Sequence, residues 1–386
     1  GYLPQRRRAA DGSPAVPPLS AFEAVLKGSG EGREISTTMA FVRLLTALVR
    51  DKELGKRIVP IVPDEARTFG MEGMFRQLGI YSSVGQKYEP VDKDQVMYYR
   101  EDKQGQILEE GINEAGAFSS WIAAATAYSH SNTVTVPFYI FYSMFGMQRI
   151  GDLAWAAADQ RARGFLLGAT AGRTTLNGEG LQHEDGHSHV MSAVIPNCVS
   201  YDPTYGYEVA VIIHDGLRRM VTNQEDVFYY ITLMNENYEH PALPAGSEEG
   251  IPKGMYLLRQ SKSTAKARVQ LMGSGTILRE VEAAAELLEN EWDVAADVWS
   301  ATSFNELRRD GLAADRWNLL HPEAKPRVPW IAQCLDKRPG PVVAATDYMK
   351  VFADQVRPFL PKGRTCRVLG TDGFGRSDSR AKLRYF

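Results

Sequence analysis

Residues 134–170 read VTVPFYIFYSMFGMQRIGDLAWAAADQRARGFLLGAT. Val134 to Phe141 is β-branched and aromatic, which predicts a strand, and a helix is expected across Ile150 to Arg161. Gly164 to Thr170 is apolar again and predicts a second strand. A strand, a helix and a strand in that order imply a right-handed crossover and a parallel pair. Outward from this unit the pattern repeats. Upstream, Ser36 or Thr37 caps a predicted helix carrying Phe41, Leu44, Leu45, Leu48 and Val49 at helical spacing. Arg57 to Pro63 (RIVPIVP) reads as a short buried strand that delivers Asp64 and Glu65 at its end. An Ala-rich helix is predicted from Glu114 through Trp121 to Tyr128. Downstream come a strand at Cys198 to Tyr201, a helix from Tyr207 to Val221 and a strand at Val227 to Leu233. The fold class is α/β with a mainly parallel sheet covered on both faces.

Pro241 to Gly254 (PALPAGSEEGIPKG) is the clearest internal boundary, rich in Pro, Gly and charge. Beyond it a second α/β unit is expected, with strands at Val269 to Met272, Val298 to Thr302, Val342 to Thr346 and Arg367 to Gly370, and a helix at Ile277 to Trp292. The expected organisation is a linker over residues 1–35, a first domain over 36–240, a linker over 241–254 and a second domain over 255–386. The opening GYLPQRRRAADGSPAVPPL, with its Arg triplet and prolines, reads as a solvated segment that connects domains and does not pack. It has no apolar stretch behind its basic cluster, so it does not read as a secretory signal.

The 386 residues are 44% apolar or aromatic and 24% charged, ordinary globular composition. Forty-four Lys and Arg against 47 Asp and Glu give a net charge of -3, no excess to hold a nucleic-acid backbone. The longest apolar stretch, Val134 to Met147, is shorter than the roughly 18 residues of a membrane span. Three distant cysteines, Cys198, Cys334 and Cys366, suit neither a disulfide framework nor a zinc site of CxxC pairs, and point to a reducing cytoplasm.

The densest polar cluster is NGEGLQHEDGHSH, Asn177 to His189, placed after a strand where parallel sheets bind ligands. Its histidines suit proton transfer to a small substrate. A solvated loop is the plain alternative, and a metal site from His183, Asp185, His187 and His189 a third, although no HExxH fixes a geometry. Asp64 and Glu65 read equally as a helix start, where negative charge is favoured. Glu114 is either another such carboxylate or one held in an apolar helix that needs a partner or a raised pKa. Gly273-Ser274-Gly275 lacks the third glycine of a dinucleotide fingerprint, and Gly370 to Gly375 lacks the Lys of a P-loop. The aromatic run Phe138, Tyr139, Phe141, Tyr142, Phe145 reads mostly as strand core by its spacing, with one end free to project into a cofactor pocket.

Taken together, VPDEARTFGMEGMFRQLGIYS, EEGINEAGAFSSWIAAATAYS, PFYIFYSMFGMQRIGDLAWAAADQRARGFLLG, GRTTLNGEGLQHEDGHSHV and LGTDGFGRSDSR closely resemble the homodimeric bacterial pyruvate dehydrogenase E1 components. The resemblance runs from about Ser36 to the end and implies a thiamine-diphosphate enzyme of the transketolase-like group. The two domains are then a pyrimidine-binding domain and a transketolase C-terminal domain. The resemblance implies that Glu114 is the glutamate bonding N1′ of the aminopyrimidine and that Ile112, Tyr142, Phe145 and Arg149 line that side of the pocket. It implies that Asp64 and Glu65 lie near the reacting centre. His183, with Glu179, would belong to the substrate region, where the histidine assists proton transfer to the bound intermediate or to the lipoamide dithiolane.

Family members hold the diphosphate through Mg2+ with a GDG motif followed by Asn, and no GDG occurs in this chain. The resemblance therefore implies that thiamine diphosphate and Mg2+ are shared with a missing N-terminal domain, where the Mg2+ ligands belong, and that this portion alone is inactive. It implies decarboxylation of pyruvate, reductive acetylation of lipoamide on the E2 dihydrolipoyl acetyltransferase, a homodimer and a cytoplasmic location, with neither nucleic acid nor membrane as partner. Another transketolase-like enzyme or a 2-oxo acid dehydrogenase β subunit is the nearest alternative. A metal hydrolase and a non-catalytic assembly module are the more distant ones.

Overall fold

The computed structural model describes residues 7–63 and 66–386. Ser36 is the N-cap of α1 (Thr37–Val49), its hydroxyl accepting from the Met39 amide at 3.1 Å. The first sheet has six strands: β1 (Ile58–Val62), β2 (Leu108–Glu109), β3 (Val136–Tyr142), β4 (Phe165–Ala169), β5 (Cys198–Tyr201) and β6 (Phe228–Thr232). Their order is β2-β1-β3-β4-β6-β5, and every pairing is parallel. Side chains alternate across it. Phe138 and Ile140 join the core that contains α1, whereas Tyr139 and Phe141 join the core on the opposite face. That opposite face is covered by α2 (Glu114–Ala125) and α3 (Ser143–Asp159), which pack on each other. Gly146 brings α3 close to the sheet, since a Cβ there would overlap the Phe141 ring. The short α4 (Ser188–Ser192) and the longer α5 (Gly206–Leu217) complete the domain.

The second sheet contains β7 (Tyr256–Arg259), β8 (Ala267–Gly273), β9 (Val294–Ser300), β10 (Val342–Ala345) and β11 (Cys366–Leu369), in the order β7-β9-β8-β10-β11. Only β7 runs antiparallel. Helix α6 (Ile277–Glu291) packs on β8 and β9, and α7 (Phe304–Leu320) reaches across to β5 of the first sheet. The domains share a buried polar seam. Glu208, on α5, accepts from the Thr204 and Tyr205 amides at 2.6 and 3.1 Å, and from the Tyr256 and Ser300 hydroxyls at 2.7 and 2.6 Å.

Several boundaries differ from the sequence reading. The segment expected as an unpacked linker over 1–35 is packed from its middle onward. Phe22 and Val25 are buried, and Glu34–Ile35 pairs antiparallel with Tyr238–Glu239. Even the Arg8 carbonyl accepts from the Arg163 guanidinium at 3.0 Å, while Gly1 to Arg6 lie outside the described residues. The stretch 241–254 is likewise pinned. Ile251 is buried, its carbonyl accepts from Thr302 Oγ1 at 2.6 Å, and the Pro252 carbonyl accepts from the Tyr201 hydroxyl at 2.9 Å. Composition marked both segments as linkers, but a few apolar residues with paired backbone suffice to dock them. Strand β9 begins at Val294, earlier than Val298, because Asp297 within it disguised a buried strand. Asp297 is satisfied there by Gln270 Nε2 at 3.0 Å and the Ser261 amide at 2.9 Å. Helix α3 begins at Ser143, seven residues before the expected start at Ile150. Among the described residues no helix is long and apolar enough to cross a membrane.

Candidate active site

Strand β3 ends at Tyr142 and α3 starts with the next residue, so Phe145 and Arg149 stand on one helix face, four residues apart. The Arg149 guanidinium lies over the Phe145 ring at 4.4 Å. It also pairs with Glu114 at 2.6 Å. Glu114 is the first residue of α2, set by the Asn113 cap, whose side chain accepts from the Gly116 amide at 3.0 Å. Its side chain is 12% exposed against 51% for Arg149, so the carboxylate sits below a half-open guanidinium. Beneath it the buried Tyr139 hydroxyl has no hydrogen-bond partner among the described residues, and burial with the Glu114 charge pushes its pKa up. Ile112 stands beside this pair in sequence and is 70% exposed.

On the other side of Phe145 is His183. Its ring meets Phe145 at 5.0 Å and Tyr142 edge-on at 4.8 Å, and Tyr142 in turn meets Phe69 at 5.4 Å. The His183 Nδ1 is buried with no partner among the described residues. Glu114, Arg149, Phe145, His183 and Tyr142 thus form one continuous row at the carboxyl end of β3, where open parallel sheets bind ligands. The run Phe138 to Phe145 is therefore not strand core throughout: its last member belongs to the helix and faces this row.

The other described candidates make contacts of their own. Glu179 is half-buried, and its carboxylate accepts from the Asn177 amide in its own turn. Asp64 and Glu65 follow β1 directly and lie outside the described residues. The four residues weighed as metal ligands diverge. Asp185 is held in the turn before α4, accepting from the His187 and Ser188 amides at 3.0 and 2.9 Å and from Ser188 Oγ at 2.6 Å. His187 meets Gln148 at 3.0 Å, and His189 turns inward to Thr232 Oγ1 at 2.9 Å. Among the described residues no three His, Cys, Asp or Glu side chains converge as a metal site.

Sequence reading missed three charged groups near the row, Glu184, Arg173 and Asp347. Glu184, counted only as a member of the polar cluster, is buried with neither carboxyl oxygen hydrogen-bonded among the described residues. Burial first, and then the Asp347 charge, push its pKa up to about 8, against the opposing pull of Arg173. Arg173 is itself buried, and Asp347 comes from the second domain. No local pattern announces either residue, because 174 positions separate them.

A model of the pyruvate dehydrogenase E1 component middle domain matches residues 19–241, more than half of the chain. The chain belongs to the pyruvate dehydrogenase E1 component family. A model of the transketolase-like C-terminal domain matches residues 254–386. The E1 component of Pseudomonas aeruginosa is 69% identical over all of this chain, and that of Escherichia coli K12 is 60% identical. The chain spans 43% of the length of each, so it corresponds to part of an E1 component. Among solved structures, transketolase from Campylobacter jejuni superposes with a TM-score of 0.67 at 17% identity, covering 94% of this chain and 46% of its own, a likeness of fold. A split-gene transketolase, described as an inactive β4 tetramer, has a TM-score of 0.59 at 15% identity and is covered over 93% of its length.

The residues present fit the pyrimidine side of a thiamine-diphosphate site. Arg149 joins the Glu114 carboxylate to the Phe145 ring, the exposed Ile112 lies two positions before Glu114 in sequence, and the buried Tyr139 hydroxyl has no hydrogen-bond partner among the described residues.

Proposed function

We propose that this chain carries the pyrimidine-side half of a pyruvate dehydrogenase E1 active site, acting in decarboxylation of pyruvate and reductive acetylation of lipoamide on the E2 acetyltransferase. The domain built on the first sheet would be the pyrimidine-binding domain, and the one on the second sheet the transketolase C-terminal domain. The observation that carries this reading is the row from Glu114 to Tyr142, which places an acid, a base and aromatic walls on one open surface. When bound, thiamine diphosphate supplies the nucleophilic carbon and the electron sink. Glu114 would hold a ring nitrogen through a charge-assisted hydrogen bond, and the Asn113 cap keeps its backbone fixed while it does so. Arg149 balances the charge of that carboxylate at 2.6 Å. Phe145 and Tyr142 shield one side of His183 from water, and its imidazole moves a proton to or from the substrate. Asp64, Glu65 and Glu179 would stand at the substrate end, and Mg2+ would be held by the N-terminal domain that completes the site in a homodimer. The inactive split-gene transketolase of like fold supports the view that this portion is silent alone.

Complementation tests the reading. With thiamine diphosphate and Mg2+, the chain alone should release no CO2 from pyruvate, and adding the remainder of an E1 polypeptide should restore release. Glu114→Gln should lower the restored rate roughly 100-fold or more. Release by the chain alone, or full activity of Glu114→Gln, would overturn it.

A further inference from the structure

The loop that carries His183 is held mainly by the second domain. It begins at Gly172, whose φ is +83° and whose Cβ, if present, would collide with Asp347 Oδ2, so only glycine allows the carboxylate this close. Asp347 then accepts from the Arg173 amide at 2.7 Å, the Thr174 amide at 3.0 Å and the Thr174 hydroxyl at 2.8 Å. All of this is buried: Asp347 is 1% and Arg173 is 7% exposed. The Arg173 side chain runs on from that clamp. Its Nη1 donates to the Thr371 carbonyl, and its Nε points to the Glu184 carbonyl at 3.4 Å. Glu184 is the residue after His183. The loop's far side is tied to the same domain, because the Gly186 carbonyl accepts from the Met349 amide at 2.8 Å. Gly186 also lies flat on the guanidinium, where a Cβ would overlap Arg173 Cζ.

This arrangement exceeds what is needed to join two domains. A buried carboxylate and a buried guanidinium cost free energy unless hydrogen-bonded, and here each is bonded to main chain that brackets one histidine. We propose that Asp347 and Arg173 are positioning residues: Asp347 fixes the 172–174 turn, and Arg173 transmits that constraint to the backbone beside His183. The second domain thereby sets where the imidazole stands. The inference rests on the proposed substrate-side role of His183. A displacement of about 1 Å at a reacting group costs up to roughly 100-fold in rate, so the pair has a kinetic signature without touching substrate.

The test is a mutant cycle in the complete E1 polypeptide, with Arg173→Gln, His183→Ala and the double variant, each assayed for acetylation of a lipoyl domain. Arg173→Gln should lower kcat roughly 10- to 100-fold with KM for pyruvate little changed. The double variant should fall no further than His183→Ala, because the two act through one group. Multiplicative losses, or an Arg173→Gln enzyme at full rate, would overturn the proposal. Arg173→Lys and Asp347→Asn, which keep charge or shape, serve if Arg173→Gln fails to fold, and Arg173→Lys should recover part of the loss. Amide hydrogen exchange in this chain supplies a separate readout. The Arg173 and Thr174 amides should be protected, and Asp347→Asn should speed their exchange at least tenfold. If the complete wild-type polypeptide does not act on pyruvate, the functional reading fails, while the exchange result still decides whether Asp347 holds the loop.

Discussion

His183 and His189 lie six positions apart in one loop, and the fold treats them as different chemical species. His183 stands at an open face between Tyr142 and Phe145. His189 is fully buried, stacked on Phe352 at 4.7 Å and edge-on to Tyr348 at 4.8 Å. His189 Nε2 meets Thr232 Oγ1 at 2.9 Å, and that hydroxyl in turn meets the Asp202 carboxyl at 2.7 Å. Burial holds His189 neutral, its pKa down to about 4. A histidine cluster in sequence is thus not a histidine cluster in space. One ring lies among the aromatic residues at the end of β3, and the other is packed between Thr232 of the first domain and Phe352 and Tyr348 of the second.

The contrast is breakable by substitution. In the complete enzyme, His183→Ala should cut acetylation of a lipoyl domain about 100-fold while moving the urea midpoint by less than about 1 kcal/mol. His189→Ala should do the reverse. Loss of a ring packed on Phe352 and Tyr348 should cost about 3 kcal/mol in urea unfolding, with specific activity preserved in the folded fraction. Equal effects at both positions would erase the distinction.

Titration sharpens it further. Between pH 6.5 and about 4 the unfolded chain takes up a proton that buried His189 refuses, so stability falls as pH drops through that window. Its neighbour Glu184 has the opposite sign. The folded state keeps a proton up to about pH 8 that the unfolded state releases near 4.5, so this contribution is lost as pH rises between them. Stability curves of His189→Gln and Glu184→Gln should therefore flatten on the acid and the alkaline side, respectively. The smallest effect belongs to the exposed row. Arg149→Met should change unfolding free energy by less than about 1 kcal/mol, because the guanidinium is half in water.

Much of this architecture was legible from residue types. The β-branched runs, the Ser36 cap and the alternation of strands with helices lie where local propensity puts them. The open row was partly legible. Glu114 shows as a carboxylate opening an apolar helix, but the strand-to-helix change at Tyr142–Ser143 carries no Gly or Pro, and the helix was therefore expected only from Ile150. Charged residues inside secondary structure misled in the same way: Asp297 hid part of β9, and the highly charged α7 showed no apolar stripe strong enough to announce it. Asp347 and Arg173 were illegible in principle. Their roles exist only once two domains meet, and nothing about Asp347 in its own strand-end turn distinguishes it from a solvated acid.

The Glu208 carboxylate has a consequence for the order of events during synthesis. Two of its hydrogen-bond partners come from its own helix start, but the hydroxyls of Tyr256 and Ser300 arrive later, Ser300 being 92 residues downstream. At a translation rate of about 5–20 residues per second, Ser300 follows Glu208 by on the order of 5 to 20 s, and until then this core carboxylate is half satisfied. The nascent first domain should therefore remain protease-sensitive on the ribosome until β9 has emerged, although all of its own strands are already made.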